Sequence, residues 1–217
     1  MKKRVSHGKK LPPMMIFKRK TQIKEKLPSG VIVDQNEKGW MNNDVMEKWL
    51  STCYVKRPGG FFRENKSLLV LDSMKSHISD VTKDRIKATG SIPAVIPGGL
   101  TKLLQPLDIS VNRCFKAELR KIWEHWMCHG EKSYTSTGRM RRASYATVVQ
   151  WVKDAWAAVP DTAIINGFIK AEIIDLPEML EDDEMPIVHD EDDLPLALAS
   201  LFNSDVEDSD FDGFESD

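Results

Sequence analysis

Residues 67–96 read SLLVLDSMKSHISDVTKDRIKATGSIPAVI, and this stretch decides the fold class. Ser67 to Leu71 is a continuous apolar run of strand length that stops at Asp72, which suits a strand covered on both faces. Ser79 then opens a polar helix to about Ala88, Gly90 stops it, and Ile92 to Ile96 returns as a second strand despite Pro93. Strand, helix and strand make a βαβ unit, so the two strands are predicted to run parallel with a right-handed crossover. The chain is therefore predicted to be α/β.

Towards the N-terminus, Met14 to Phe17 reads as a strand entered through Pro12-Pro13, and Gly30 to Val33 as another. Asn42 or Asn43 can cap a helix in which Val45, Met46, Trp49, Leu50 and Cys53 recur at helical spacing. Towards the C-terminus, Gly98-Gly99 lead to Pro106, a good first-turn residue for a long helix to His129. A polar, basic loop from Gly130 to Arg142 precedes an amphipathic helix from Ala143 to Ala158, and Asp161 can cap a last helix through Ile169. Two regions follow: a body, 1–170, and an acidic tail, 171–217, expected to be disordered beyond about Asp175.

The formal charge of −2 over 217 residues hides this division. All 31 Lys and Arg lie in 1–170, against 15 Asp and Glu, so the body carries +16 and the tail −18. Such asymmetry points to polyanion binding or its mimicry. With 41% apolar and 29% charged residues the chain is neither low-complexity nor wholly disordered. No apolar run approaches the roughly 18 residues of a membrane span. Three cysteines without a signal peptide argue against a secreted disulfide scaffold and for a reducing compartment.

Asp72 is placed at the C-terminal end of a strand, where ligands of α/β sheets sit. Asp108 follows 36 positions later in the first turn of the next long helix. A βαβ unit can bring the two carboxylates to one edge as hard oxygen ligands for Mg²⁺ or Mn²⁺. Equally, Asp72 can cap a loop and Asp108 complement a helix dipole.

Two blocks extend the reading. Leu68-Leu-Val-Leu-Asp72-Ser-Met-Lys-Ser-His77 and Gly98-Gly-Leu-Thr-Lys-Leu-Leu-Gln105-Pro-Leu-Asp108-Ile-Ser-Val-Asn112 resemble the DDE endonuclease domain of pogo/Tigger-type transposases and their jerky-like relatives. Gly8 to Thr21 and Asn36 to Met41 look like the middle segment of the same family. The resemblance runs from about residue 8 to 170. It implies a ribonuclease H-like fold with additional C-terminal helices, and three acidic residues holding two metal ions for phosphodiester cleavage and strand transfer. By motif match Asp72 stands at the second acidic position, Asp108 at the third, and His77 at a histidine frequent in that loop. Thr101, Lys102, Gln105 and Lys116 lie where they can support the site or touch DNA. Lys18, Arg19 and Lys20, in the basic N-terminal region, are further candidate phosphate contacts, and that region can also serve as a nuclear-import signal.

The sequence departs from the family at the first acidic position, which belongs on a strand upstream of Lys10-Leu-Pro-Pro13, where residues 1–10 hold no acid. The fold is accordingly expected to be partial, its first strand missing, with apolar faces of the Leu68–Leu71 strand left unpartnered or completed by another chain. The leading expectation is a nuclear DNA-binding protein without turnover. The alternatives are a metal-dependent nuclease in which Asp34 substitutes for the missing acid, and an interaction module in which Leu194 to Phe202 docks as a helix into a partner groove. His125, Cys128 and His129 share a helix face and can be read as zinc ligands or as an ordinary helix end. Cys53 and Cys114 read as core thiols. Of six tryptophans, Trp40, after Lys38-Gly39, is the one expected outside the core.

Overall fold

In a computed structural model, residues 8–57, 66–174, 195, 197 and 198 are described. The first strand, β1 (Met14–Lys18), pairs in parallel with β2 (Ile32–Asn36), Met14 facing Ile32. The second strand starts later than Gly30, because Gly30 sits at φ +96 in the preceding turn. Helix α1 (Asn43–Thr52) is capped by Asn42, whose Oδ1 accepts from Val45 N at 2.8 Å, and a 3-10 turn, Tyr54–Lys56, follows. Then come β3 (Ser67–Leu71), the short α2 (Lys75–Ile78), α3 (Asp80–Ala88) and β4 (Ser91–Val95). The predicted βαβ unit is present: β3 and β4 are parallel, Ser79 caps the crossover helix, and Gly90 at φ +77 ends it.

After the short α4 (Thr101–Leu104), the helix expected from Pro106 opens as a π turn, Leu107–Val111, before α5 (Asn112–His129). Helices α6 (Tyr145–Ala158) and α7 (Asp161–Lys170) complete the body, α6 capped by Ser144 and α7 preceded by Pro160, with Asp161 as its first residue rather than its cap.

The architecture is mixed α/β, with two separate two-stranded sheets among the described residues. Met14–Lys18 and Ile32–Asn36 pair with each other and leave the β3–β4 pair as a sheet of its own among the described residues. Leu68 and Ile92, register partners, remain 53% and 54% exposed. Apolar side chains on the β3–β4 pair thus stand in solvent.

Packing gathers in three clusters. The largest joins Met15 and Phe17 of β1 to Leu119 of α5 and to Tyr145, Val148, Val149, Trp151, Val152 and Ala155 of α6. A second packs Met46, Leu50 and Tyr54 on Leu71 and Ile86. The third sets Val111 against Val159, Ala163 and Ile164. The chain before β1 is strapped to the end of α6: Lys10 Nζ donates to the carbonyls of Trp156 and Ala157 at 2.8 and 2.9 Å, and Trp156 Nε1 to that of Leu11 at 2.8 Å. A cation at a helix C-terminus is the stabilising arrangement there.

One expectation needs correction at a single point. Leu198, in the stretch expected to be disordered, is fully buried within the largest cluster, with its N–H on the carbonyl of Pro195 at 2.8 Å. A leucine inside an acidic segment still gains by leaving water when an apolar groove accepts it. The rest of the expected disorder, and the remainder of Leu194 to Phe202, lie outside the described residues. No described helix is long and apolar enough to cross a membrane.

Candidate functional site

Asp72 follows β3 directly, and the last ladder bond lies just before it, Ile96 N donating to the carbonyl of Leu71 at 2.8 Å. The carboxylate folds back on its own loop. Its Oδ1 accepts from Met74 N at 3.0 Å, an Asx turn that starts α2. One turn of α2 then returns His77 so that Nδ1 lies 2.6 Å from the same oxygen, with the two side chains 15% and 29% exposed. Asp72 and His77 are thus brought together in a half-buried pair.

Asp108 is held by a different device. Its N–H and that of Ile109 both bond to the carbonyl of Gln105, at 3.0 and 3.1 Å. Its Oδ1 accepts from Asn112 Nδ2 at 2.7 Å, one turn on. The π turn that displays it is seated on α7: Ser110 Oγ donates to the carbonyl of Ala163 at 2.7 Å. A Cβ on Gly167 would meet Ser110 Oγ at 2.6 Å and the Pro106 carbonyl at 2.7 Å. The loop between β4 and α4 lies along the Asp72 turn, since a Cβ on Gly98 would stand 3.6 Å from Ser73 Oγ. Asp72 thus leaves the C-terminal end of β3, while Asp108 is displayed by the π turn that follows α4 and packs on α5 and α7.

The donors stop there. Among the described residues no group of three or more His, Cys, Asp or Glu side chains is placed to hold a metal ion. Asp34, the candidate substitute, lies on β2 in the other sheet, with Oδ2 3.0 Å from Lys48 Nζ and Oδ1 accepting from Gln35 N. The two-ion arrangement needs more hard oxygen donors than Asp72 and Asp108 supply. The described residues do not fit it, and no chemical step is assigned through a metal. The zinc alternative is not assembled either: the rings of His125 and His129 stack at 4.8 Å and Cys128 is exposed.

The basic candidates divide. Arg19 is committed to packing, its guanidinium 4.8 Å above the Tyr145 ring and bonded to the Tyr145 hydroxyl at 2.6 Å and Thr21 Oγ1 at 2.7 Å. Lys18 ends β1 and Lys20 is exposed beyond it. Lys102 is exposed on α4, Gln105 half-buried at its end, and Lys116 half-buried on α5, two turns from Asp108.

Sequence reading missed the Asn112 support of Asp108, although its i, i+4 spacing in a helix is a visible signal. It also missed a buried hydroxyl cluster under β3 and β4, where Tyr54 OH, Ser67 Oγ and Ser91 Oγ lie within 2.8–3.1 Å of one another, with Arg57 donating to Ser91 at 3.0 Å. That cluster ties the first residues of β3 and β4 to the 3-10 turn after α1, and so holds the strand that leads into Asp72.

A family profile described as DDE superfamily endonuclease matches residues 4–168, nearly all of the body in which these two aspartates lie. The chain belongs to that family. Within the DDE superfamily it is of the pogo type. It is 28% identical over 191 residues to a human protein called "Pogo transposable element with KRAB domain", covering 88% of this chain and 31% of that protein. The mouse protein of the same name is 29% identical over 169 residues, 78% of this chain and 28% of the relative. A human "Pogo transposable element with ZNF domain" is 26% identical over 120 residues, 55% of this chain and 8% of the relative. This pogo-type chain thus spans about a third or less of the curated relatives it matches. No solved structure matches it.

Proposed function

We propose that this chain is a transposase-derived DNA-binding body of ribonuclease H-like architecture that acts in the nucleus and binds DNA without cleaving it. The observation that carries the reading is the donor set. Asp72 is braced by His77 and Asp108 by Asn112, on a body of formal charge +16, yet no group of three or more metal-ligating side chains forms among the described residues. Such a surface attracts phosphate and leaves the charge on a reacting phosphodiester poorly neutralised. Mg²⁺ or Mn²⁺ belongs to the family's chemistry and is not required for binding of this kind.

Fluorescence anisotropy with labelled DNA at several salt concentrations tests the binding. Contact from about four cations, such as Lys18, Lys20, Lys102 and Lys116, lowers affinity roughly a hundredfold between 50 and 200 mM salt. An affinity flat across that range refutes the reading. A nicking assay in Mg²⁺ or Mn²⁺ tests the absence of turnover. Cleavage lost on Asp72→Asn and on Asp108→Asn would overturn it in favour of a metal-dependent endonuclease.

A further inference from the structure

Trp40 stands apart from the five other tryptophans. Trp49 stacks on Tyr54 at 5.3 Å, Trp123, Trp126 and Trp151 belong to the largest cluster, and Trp156 packs with the third. Trp40 is 69% exposed, the highest value among the exposed large hydrophobic side chains of the described residues. A ring of that size left in water forgoes much of the gain from burial.

The backbone that carries it is tightly held. Asn36 Oδ1 accepts from Lys38 N at 3.0 Å and Trp40 N at 3.3 Å, and its Nδ2 donates to the Trp40 carbonyl at 2.8 Å. The Asn36 carbonyl takes both Arg19 N at 3.0 Å and Gly39 N at 3.2 Å, fixing the turn to the end of β1. Gly39 adopts φ +66 and lies so close to Lys18 that a Cβ there would meet Lys18 Cβ at 2.9 Å. The ring is thus presented on a rigid turn, on the residue that leads into Asn42, the cap of α1. Lys18, Lys20 and Lys38 belong to the same strand end and turn, where Glu37 is the one carboxylate. An aromatic face held out on a fixed turn among cations is the combination that binds unpaired bases, since every base offers a π face and its phosphate lies one backbone step away.

We propose that Trp40 is a stacking platform for an unpaired nucleobase of single-stranded DNA, with Lys18, Lys20 and Lys38 receiving the adjoining phosphates. Duplex DNA does not satisfy this platform, because its base faces are already stacked on one another. The proposal rests on the DNA-binding reading and adds a strand preference and a contact residue to it.

The full chain is titrated with labelled oligothymidine and with a blunt duplex of equal length, as wild type, Trp40→Ala and Trp40→Phe. Loss of one base stack by alanine substitution is expected to weaken single-strand binding about five- to a hundredfold. Duplex binding should stay within about twofold, and Trp40→Phe should retain most of the single-strand affinity. Photocrosslinking of an oligonucleotide containing 5-iodouracil should attach at Trp40. If wild type and Trp40→Ala bind the single strand equally, the proposal fails while DNA binding stands. Equal losses for both DNA forms refute stacking as well. If neither protein binds either DNA at low salt, the DNA-binding reading has failed and takes the platform with it. Because Trp40 is exposed, a circular dichroism melt matching wild type is expected for both variants. The phenylalanine variant keeps the comparison available if the alanine variant is unstable.

Discussion

Truncating Leu198 to alanine asks how firmly the acidic segment is held. Its side chain is fully buried among residues of β1, α5 and α6. Burying one leucine contributes about 1.5–3 kcal/mol. Ordering each residue that brings it there costs about 1–2 kcal/mol. Set against the ordering of the leucine itself, burial leaves a net gain of about 1–2 kcal/mol at most, so the side chain leaves its groove when it is shortened. The loss in global stability is then capped at the docking free energy, and Leu198→Ala should cost about 1–2 kcal/mol. Leu198→Asp should cost no more, because a departed segment no longer buries the new charge. A leucine locked in a rigid core behaves otherwise: alanine costs about 2–5 kcal/mol, and a buried, unpaired carboxylate considerably more. Urea denaturation of the full chain measures both variants, and limited proteolysis under native conditions reports release. An unchanged midpoint for Leu198→Ala would refute burial as drawn. An aspartate variant several kcal/mol worse than the alanine variant would refute the cap.

Gly167→Ala should destabilise the protein by about 1–3 kcal/mol, since its Cβ would collide with Ser110 Oγ and the Pro106 carbonyl. The shift should appear in amide exchange of the turn bearing Asp108 before that of β3. Ser91→Ala leaves the buried Tyr54 hydroxyl and Arg57 short of a partner, and is expected to cost about 1–3 kcal/mol by thermal melt. Tyr54→Phe together with Ser91→Ala should cost less than the sum of the two. Among the thiols, Cys128 should react first with a soluble disulfide reagent and Cys53 only on unfolding, because Cys53 is buried. Burial raises the pKa of Cys53 above the ordinary thiol value, with Lys56 opposing. The folded state therefore favours the protonated thiol. Its contribution to stability is complete below the ordinary thiol pKa and is lost as pH rises through the elevated one, which Cys53→Ala should abolish in alkaline melts.

The βαβ unit was legible because its signals are local: an unbroken apolar run, a serine cap, a glycine stop. Asp72 and His77 stood out by motif match alone; that they pair follows from the two loop residues and the one helical turn between them. The start of β2 was not, because Gly30 and Val31 carry strand-like character but serve the turn that delivers Ile32 into register with Met14. Neither was the fate of Leu198, which depends on a groove assembled from three distant elements. Arg19 read as a phosphate contact because its neighbours are cationic, and only the fold reveals Tyr145 beneath it.

The π turn at Leu107–Val111 makes chain length as decisive as residue identity. Asn112 N donates to the Leu107 carbonyl, so one residue more than an α turn separates Asp108 from the phase of α5. Removing a single residue there would restore ordinary phase and rotate Asp108 by about 100° relative to the helix behind it. Every acidic letter would remain in place while the carboxylate pointed elsewhere. Two pogo-type chains that agree at the aspartate and differ by one residue in this turn would thus be unlike in the one respect that matters to the site.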